Sequence, residues 1–155
     1  MKLVIQRCSE ASVIVDGEAV ARIAKGAVIL LAVARDDTED EARYLARKTS
    51  LLRIYDDAEG RLNASIADAG GAFLVVSQFT LYGDCAKGNR PSYIESAPPD
   101  HARALYEFFV HELKSYGHEV QTGRFQETMQ VKLENDGPVT LILERRHTPP
   151  LACPQ

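Results

Sequence analysis

The sequence predicts an α/β domain in which two helices cover one side of a mixed, largely antiparallel β-sheet. Six strand-like runs and two helical runs alternate in the order β-β-β-α-β-α-β-β, which is typical of such a sheet. The Asp16-Gly17 pair between the first two runs indicates an antiparallel hairpin. The continuous apolar run AVILLAVA indicates a central strand that is buried on both faces.

Length and composition indicate one globular domain of 155 residues, with 45% hydrophobic and 26% charged residues. The net charge of −4 excludes a basic field over the whole surface, so a polyanion must bind at a local patch. Three widely spaced cysteines, Cys8, Cys85 and Cys153, predict a reducing compartment. The longest apolar run is far shorter than a membrane-spanning helix needs, and we therefore expect a soluble, cytoplasmic protein.

The elements follow in order from local signals. After the hairpin and the central strand, Thr38 and Glu41 fit a capping box, and apolar residues recur at helical spacing over roughly 39–53. A fourth strand is predicted at 72–77, and Pro98-Pro99-Asp100 opens a second helix that ends near Gly117.

Two further strands are predicted near 129–133 and 139–143. Residues 1–144 are therefore predicted to form a single domain. The segment 145–155 contains three prolines and no periodicity, so we expect a flexible tail.

The usual signatures of cofactor and metal sites are absent from the sequence. No G-x-G-x-x-G, P-loop or G-x-S-x-G motif occurs, and the four histidines lack the spacing of zinc ligands. We therefore expect neither a cofactor nor a metal.

Three polar segments are candidates for a functional site. Ser77-Gln78-Phe79-Thr80-Leu81 follows a buried strand, where side chains have rigid support, although a strand that simply exits to solvent fits equally. Asn135-Asp136-Gly137-Pro138 suits either a site or an ordinary turn. Lys87 and Arg90 lie in the long loop 82–98 and are candidates for phosphate contacts, or are merely solvated.

Together these segments resemble the D-aminoacyl-tRNA deacylases, also called D-tyrosyl-tRNA deacylases. The resemblance runs from Met1 to about Glu144 and rests on VIQRCSEASVIVDGE, SQFTLYGD, KGNRPS followed by APP, TGRF ahead of MQV, and NDGPVT. It implies a deacylase-like fold of three β/β/α layers. It also implies a cytoplasmic, homodimeric proofreading hydrolase that needs no cofactor and frees a D-amino acid from the 3′ end of tRNA. Neither DNA nor a membrane is an expected partner.

The resemblance further implies roles for particular residues. Ser77, Gln78, Phe79 and Thr80 would line the catalytic pocket. Gly137 and Pro138, joined by a cis peptide bond, would enter that pocket from the other subunit and exclude L side chains sterically. Phe125 would stack beside the terminal adenine, and Arg7 would hold the partner's Gly-Pro loop.

The catalytic step itself is left with two alternatives. Thr80 could be a nucleophile, but no base lies near it in the sequence. The favoured alternative is an oxyanion hole formed by the backbone N–H groups of Gln78, Phe79 and Thr80, with the substrate's ribose 2′-hydroxyl helping to activate water.

Two other functions stay open at this point. One is a deacylase that removes L-alanine from mischarged tRNA on the same scaffold, and the other is a non-catalytic module that binds RNA ends. Glycine has no side chain to exclude, so a D-specific enzyme should also accept glycyl-tRNA.

Overall fold

The computed structural model describes residues 1–147, and within them lie eight β-strands, two α-helices and one short 3-10 helix. In chain order these elements are β1 (Lys2–Val15), β2 (Glu18–Ile23), β3 (Gly26–Ala32), α1 (Glu39–Ser50), β4 (Tyr55–Asp56), β5 (Leu62–Ala64), β6 (Ala72–Ser77), the 3-10 helix (Phe79–Tyr82), α2 (Pro99–Ser115), β7 (Val120–Thr122) and β8 (Gln130–Glu144).

Six strands form one mixed sheet in the order β2-β1-β3-β6-β7, and β8 pairs with the long strand β1. The pairs of β1 with β2, β3 and β8 are antiparallel, whereas β3 with β6 and β6 with β7 are parallel. The first half of β1 pairs with β3 and its second half with β2. The sheet is therefore mixed and largely antiparallel, as predicted.

Two hydrophobic clusters lie on opposite faces of the central strands. Because successive side chains of a strand point to opposite faces, Phe73 and Val75 join the cluster beneath the helices, while Leu74 and Val76 join the second cluster. The second cluster also contains Val13 and other residues from the far half of β1 and from β2. This arrangement confirms the three β/β/α layers with both helices on one side.

The two helices begin where the sequence predicts. Thr38 Oγ1 accepts a hydrogen bond from the Asp40 N–H at 3.2 Å, and Glu41 accepts one from the Thr38 N–H at 2.8 Å, which completes the capping box. The helix α1 ends at Ser50, earlier than predicted. The prediction was too long because Leu52 continues the apolar spacing and packs against the core, although the backbone has already left the helix. Neither helix of the described chain is long and apolar enough to cross a membrane.

The structure contains three short strands that the sequence did not predict. The strands β4 and β5 pair with each other as a small antiparallel sheet, and β7 follows α2. These strands have only two or three residues each, which is too short for an alternating pattern to stand out.

The two predicted C-terminal strands are halves of the single element β8, and both halves pair with β1. Cys8 pairs with Asn135 and Gln6 pairs with Thr140, so two steps along β1 correspond to five along β8. The intervening residues form an extended bulge rather than a hairpin turn. The prediction of two separate strands joined by a turn is therefore wrong, and the bulge carries Gly137 and Pro138.

Residues 145–147, the first part of the predicted tail, contact the body of the fold. The Met1 amino group donates to the Asp37 carboxylate at 2.5 Å and to the Arg145 carbonyl at 2.7 Å, and the Arg145 N–H donates back to Met1 O at 3.0 Å. Burial raises the pKa of the Asp37 carboxyl and lowers that of the Met1 amino group, because desolvation outweighs their mutual hydrogen bond. The rest of the predicted tail, 148–155, falls outside the described residues, and the domain boundary stays a prediction.

Candidate active site

A cavity of about 530 Å³ opens where the ends of β3 and β6 face the start of α2. Its wall brings together the end of β6, the start of the 3-10 helix and the segment that precedes β8. The lining residues are Leu31, Ala32, Val33, Val76, Ser77, Gln78, Phe79, Ala97, Pro99, Ala102, Tyr106, Phe125, Gln126, Glu127, Met129 and Val131. The cavity thus joins two segments that are almost fifty residues apart in the chain, around Ser77 and around Phe125.

The backbone at the end of β6 offers fewer free donors than predicted. The Gln78 N–H donates to the Leu31 carbonyl at 2.7 Å, so it continues the sheet and is not available to an oxyanion. The prediction that the Gln78 N–H belongs to an oxyanion hole is therefore wrong. The N–H groups of Phe79 and Thr80 have no acceptor among the described residues, as is usual for the first turn of a helix.

Thr80 lies at the edge of this site and has no base beside it. Its side chain is exposed, it does not line the cavity, and its hydroxyl oxygen accepts a hydrogen bond from the Gln78 amide. An amide N–H cannot take up the proton that an attacking hydroxyl must lose. Among residues 1–147, no histidine or carboxylate is hydrogen-bonded to this hydroxyl.

Phe79 forms the outer edge of the cavity. Its side chain is 57% exposed and packs edge-on against Tyr93, with 5.1 Å between the ring centroids. The Ser96 hydroxyl donates to the Phe79 carbonyl at 3.2 Å. These contacts hold the 3-10 turn against the loop that follows it.

Phe125 is fixed on the opposite wall by two residues of α2. The Tyr106 ring lies 5.8 Å from the Phe125 ring, and the Arg103 guanidinium lies over Phe125 at 4.8 Å. Tyr106 donates its hydroxyl to the Val75 carbonyl at 2.8 Å, and burial raises its pKa. No pattern in the sequence singles out either helix residue, since Tyr106 simply follows the core residue Leu105.

Gly137 and Pro138 do not line the cavity of their own chain. Their peptide bond is cis, as the resemblance implied, and Gly137 has a φ of +117°. The Asn135 side chain donates to the Arg7 and Val139 carbonyls at 2.9 and 3.0 Å and closes the base of the bulge. The bulge is therefore a loop on strand β8 that the hydrogen bonds of Asn135 hold in place.

Arg7 contacts the Gly-Pro loop of its own chain, and its expected contact with the partner's loop stays a prediction. Arg7 is 6% exposed, and its Nε contacts both the Asp136 carbonyl and the Asp136 carboxylate at 3.1 Å. Nη1 donates to the Ile54 carbonyl at 2.9 Å. Arg7 and the loop that carries Gly137 and Pro138 thus contact each other within one chain.

Lys87 and Arg90 are exposed in the loop after the 3-10 helix and do not line the cavity. Backbone hydrogen bonds between Asp84 and Ser92, at 2.8 and 2.9 Å, close this loop. Tyr93 at its end contacts Phe79, so the loop lies beside the cavity mouth. Within residues 1–147, no three potential ligand side chains gather in a way that could hold a metal.

The comparisons with known proteins agree with this architecture. The family model "D-Tyr-tRNA(Tyr) deacylase" matches residues 4–144. The D-aminoacyl-tRNA deacylase of Thermosipho africanus is 53% identical over 146 residues, which is 94% of this chain and 98% of the relative. The enzyme of the same name from Thermus aquaticus is 52% identical over 149 residues, which is 96% of this chain and 98% of that protein.

Solved structures share the fold. The structure of "c-Myc DNA Unwinding Element Binding Protein" is similar with a TM-score of 0.89 and 36% identity, over 95% of this chain and all of that one. A probable eukaryotic D-amino acid tRNA deacylase, at 18% identity, has a TM-score of 0.78 over 92% of this chain and 97% of that chain, which supports the deacylase-like fold alone. The family model and the close relatives cover nearly the whole chain, and this protein therefore belongs to the D-Tyr-tRNA(Tyr) deacylase family.

Proposed function

We propose that this protein hydrolyses the ester bond of D-aminoacyl-tRNA and releases the free D-amino acid and tRNA. The protein is an ester hydrolase of the D-aminoacyl-tRNA deacylase class. The observation that carries the proposal is the cavity in which Ser77, Gln78 and Phe79 face Phe125, because it combines a polar strand end with an aromatic wall. Relatives that bear this name share about half of their residues with the chain over nearly full length.

The reaction replaces one bond to the acyl carbon by another. The oxygen of a water molecule bonds to the acyl carbon, the bond between that carbon and the ribose oxygen breaks, and the ribose oxygen takes up the proton that water loses. The N–H groups of Phe79 and Thr80 are free to stabilise the negative charge of the tetrahedral intermediate. Each such donor typically contributes about 3–4 kcal/mol.

Discrimination between enantiomers rests on a second copy of the chain. The Gly137-Pro138 loop of one protomer closes the cavity of the other, and its rigid backbone leaves room for a hydrogen where an L side chain would project. The hydrogen bonds of the buried Arg7 beneath the loop support this proposal, because they make the loop rigid.

The outer edge of β8 supports the homodimer. Val139, Leu141 and Leu143 are only partly buried although they pack against the core, and Ile142 is 69% exposed. Within the described residues β8 pairs with β1 alone, so a long apolar edge strand is left uncovered, a feature that proteins usually cover.

Removing a wrongly attached amino acid from tRNA is proofreading, and we place the enzyme in the cytoplasm, where it meets charged tRNA. The test incubates the purified protein with D-tyrosyl-tRNA and with L-tyrosyl-tRNA, and in a parallel reaction with L-alanyl-tRNA. We expect release of D-tyrosine only. Release of neither amino acid would favour a non-catalytic RNA-end binder, and release from L-alanyl-tRNA in preference to the D ester would favour the L-alanine deacylase.

Glycyl-tRNA should also be hydrolysed, at a rate comparable to that of D-tyrosyl-tRNA. Glycine carries a hydrogen at the position where an L side chain would clash, so steric exclusion has nothing to reject. The measurement compares the release of labelled glycine and D-tyrosine at one enzyme concentration. If glycyl-tRNA stays intact at an enzyme level that cleaves the D-tyrosyl ester, discrimination depends on binding the D side chain and not on exclusion.

A further inference from the structure

Arg103 is held in place at the rim of the cavity. It follows Ala102, which lines the cavity, and its guanidinium lies 4.8 Å from the centre of the Phe125 ring. Its Nη2 donates a hydrogen bond to Gln126 Oε1 at 3.0 Å. Phe125 and Gln126 both line the cavity, and both hold the guanidinium without neutralising it.

The positive charge of Arg103 is not compensated by a carboxylate within 4.0 Å in residues 1–147. Arg22 and Arg90 also lack such a partner among the described residues, and Arg103 differs from them in contacting Phe125 and Gln126 of the cavity wall. A guanidinium carries five N–H donors in a planar fork, and Gln126 uses one of those on Arg103. The remaining donors suit the bidentate binding of a phosphate group.

The backbone of Gln126 supports a positioned role for this pair. Gln126 has a φ of +66°, a left-handed conformation that residues with a side chain rarely adopt. Such local strain persists where the surrounding structure imposes it, and it is frequent at ligand sites. Here the strained residue presents its amide oxygen to Arg103.

We propose that Arg103 binds the phosphate that joins the terminal adenosine of tRNA to the preceding nucleotide. The inference rests on the proposed function: the ester lies beside Ser77, Gln78 and Phe79, the adenosine extends towards Phe125, and the RNA chain leaves over the rim. Arg103 stands at that exit as an oriented cation. It is a binding residue and takes no part in the bond exchange at the acyl carbon.

The experiment uses two small esters that differ only in this phosphate, D-tyrosyl-adenosine and D-tyrosyl-adenosine 5′-monophosphate, each esterified on the ribose at the 2′ or 3′ position. The test variant is Arg103→Gln. Arg43→Gln is a matched control, because Arg43 also lies over a phenylalanine, with 4.9 Å from its guanidinium to the Phe108 ring, but Phe108, unlike Phe125, does not line the cavity.

We expect Arg103→Gln to raise KM for the phosphorylated ester about tenfold, the effect typical of a charged hydrogen bond, with little change in kcat. Hydrolysis of the ester without phosphate should stay within about twofold of the wild type, and Arg43→Gln should change neither substrate. An equal loss on both esters would show that Arg103 only supports Phe125 and would overturn the proposal. No loss on either ester would overturn it as well.

A second measurement separates this inference from the proposed function. If the wild type hydrolyses neither small ester, cleavage of D-tyrosyl-tRNA decides about the proposed function. The role of Arg103 is then tested separately, by calorimetric binding of adenosine 5′-monophosphate and of adenosine. Weaker binding of the monophosphate alone by Arg103→Gln supports the phosphate contact. Binding that the substitution leaves unchanged overturns it.

Discussion

The substitution Gly137→Ala should lower the hydrolysis of D-tyrosyl-tRNA about 100-fold. Gly137 has a φ of +117°, and an added Cβ would lie 2.8 Å from Arg7 Nη2 and 2.9 Å from Val139 Cγ2. Arg7 cannot move aside easily, because its other nitrogens contact the carbonyls of Asp136 and Ile54. The loop must therefore shift, and a displacement of about 1 Å in a wall of the catalytic cavity typically costs about 100-fold in rate.

The measurement is single-turnover release of D-tyrosine, with the dimer content of each variant checked by sedimentation. Gly117→Ala is the matched control, since Gly117 also has a positive φ, +86°, but no atom lies within 4 Å of the added Cβ. We expect this control to lose some stability and to keep its rate within about twofold. A Gly137→Ala protein as fast as the control would show that the loop does not shape the cavity of its partner.

Local signals explain how much of this fold could be predicted from the sequence. The Asp16-Gly17 hairpin, the capping box at Thr38 and the proline at the start of α2 each depend on neighbouring residues, and the structure contains all three. The strand β7 depends instead on pairing with β6, and its three residues are too few to show an alternating pattern in the sequence.

The candidate site, like the fold, could be predicted from the sequence only in part. The segment from Ser77 to Phe79 could be found because polar residues follow an apolar strand, and Phe125 was singled out only by the family resemblance. The occupied N–H of Gln78 could not be predicted, since its acceptor Leu31 lies on another strand. Arg103 carries no local signal, because its importance comes from the ring of Phe125 beneath it.

The role of Arg7 shows a further limit of sequence reasoning. The resemblance implies a contact between Arg7 and the partner's Gly-Pro loop, and it gives no sign of a contact within one chain. The structure places both on paired strands of one chain, where Cys8 pairs with Asn135. A buried arginine on the neighbouring strand can therefore hold the loop before any partner arrives.

The largest loss of activity is expected from a change in the substrate. Removing the 2′-hydroxyl of the terminal adenosine, with D-tyrosine on the 3′ oxygen, should slow enzymatic hydrolysis about 1000-fold, within the range for losing a group that assists proton transfer.

Thr80→Ala should keep its rate within about tenfold, because the Thr80 hydroxyl is exposed and is hydrogen-bonded to the Gln78 amide rather than to a base. Both rates are divided by the spontaneous hydrolysis of the same ester, since the 2′-hydroxyl also affects the uncatalysed reaction. An inactive Thr80→Ala protein together with normal cleavage of the deoxy substrate would instead identify Thr80 as the nucleophile.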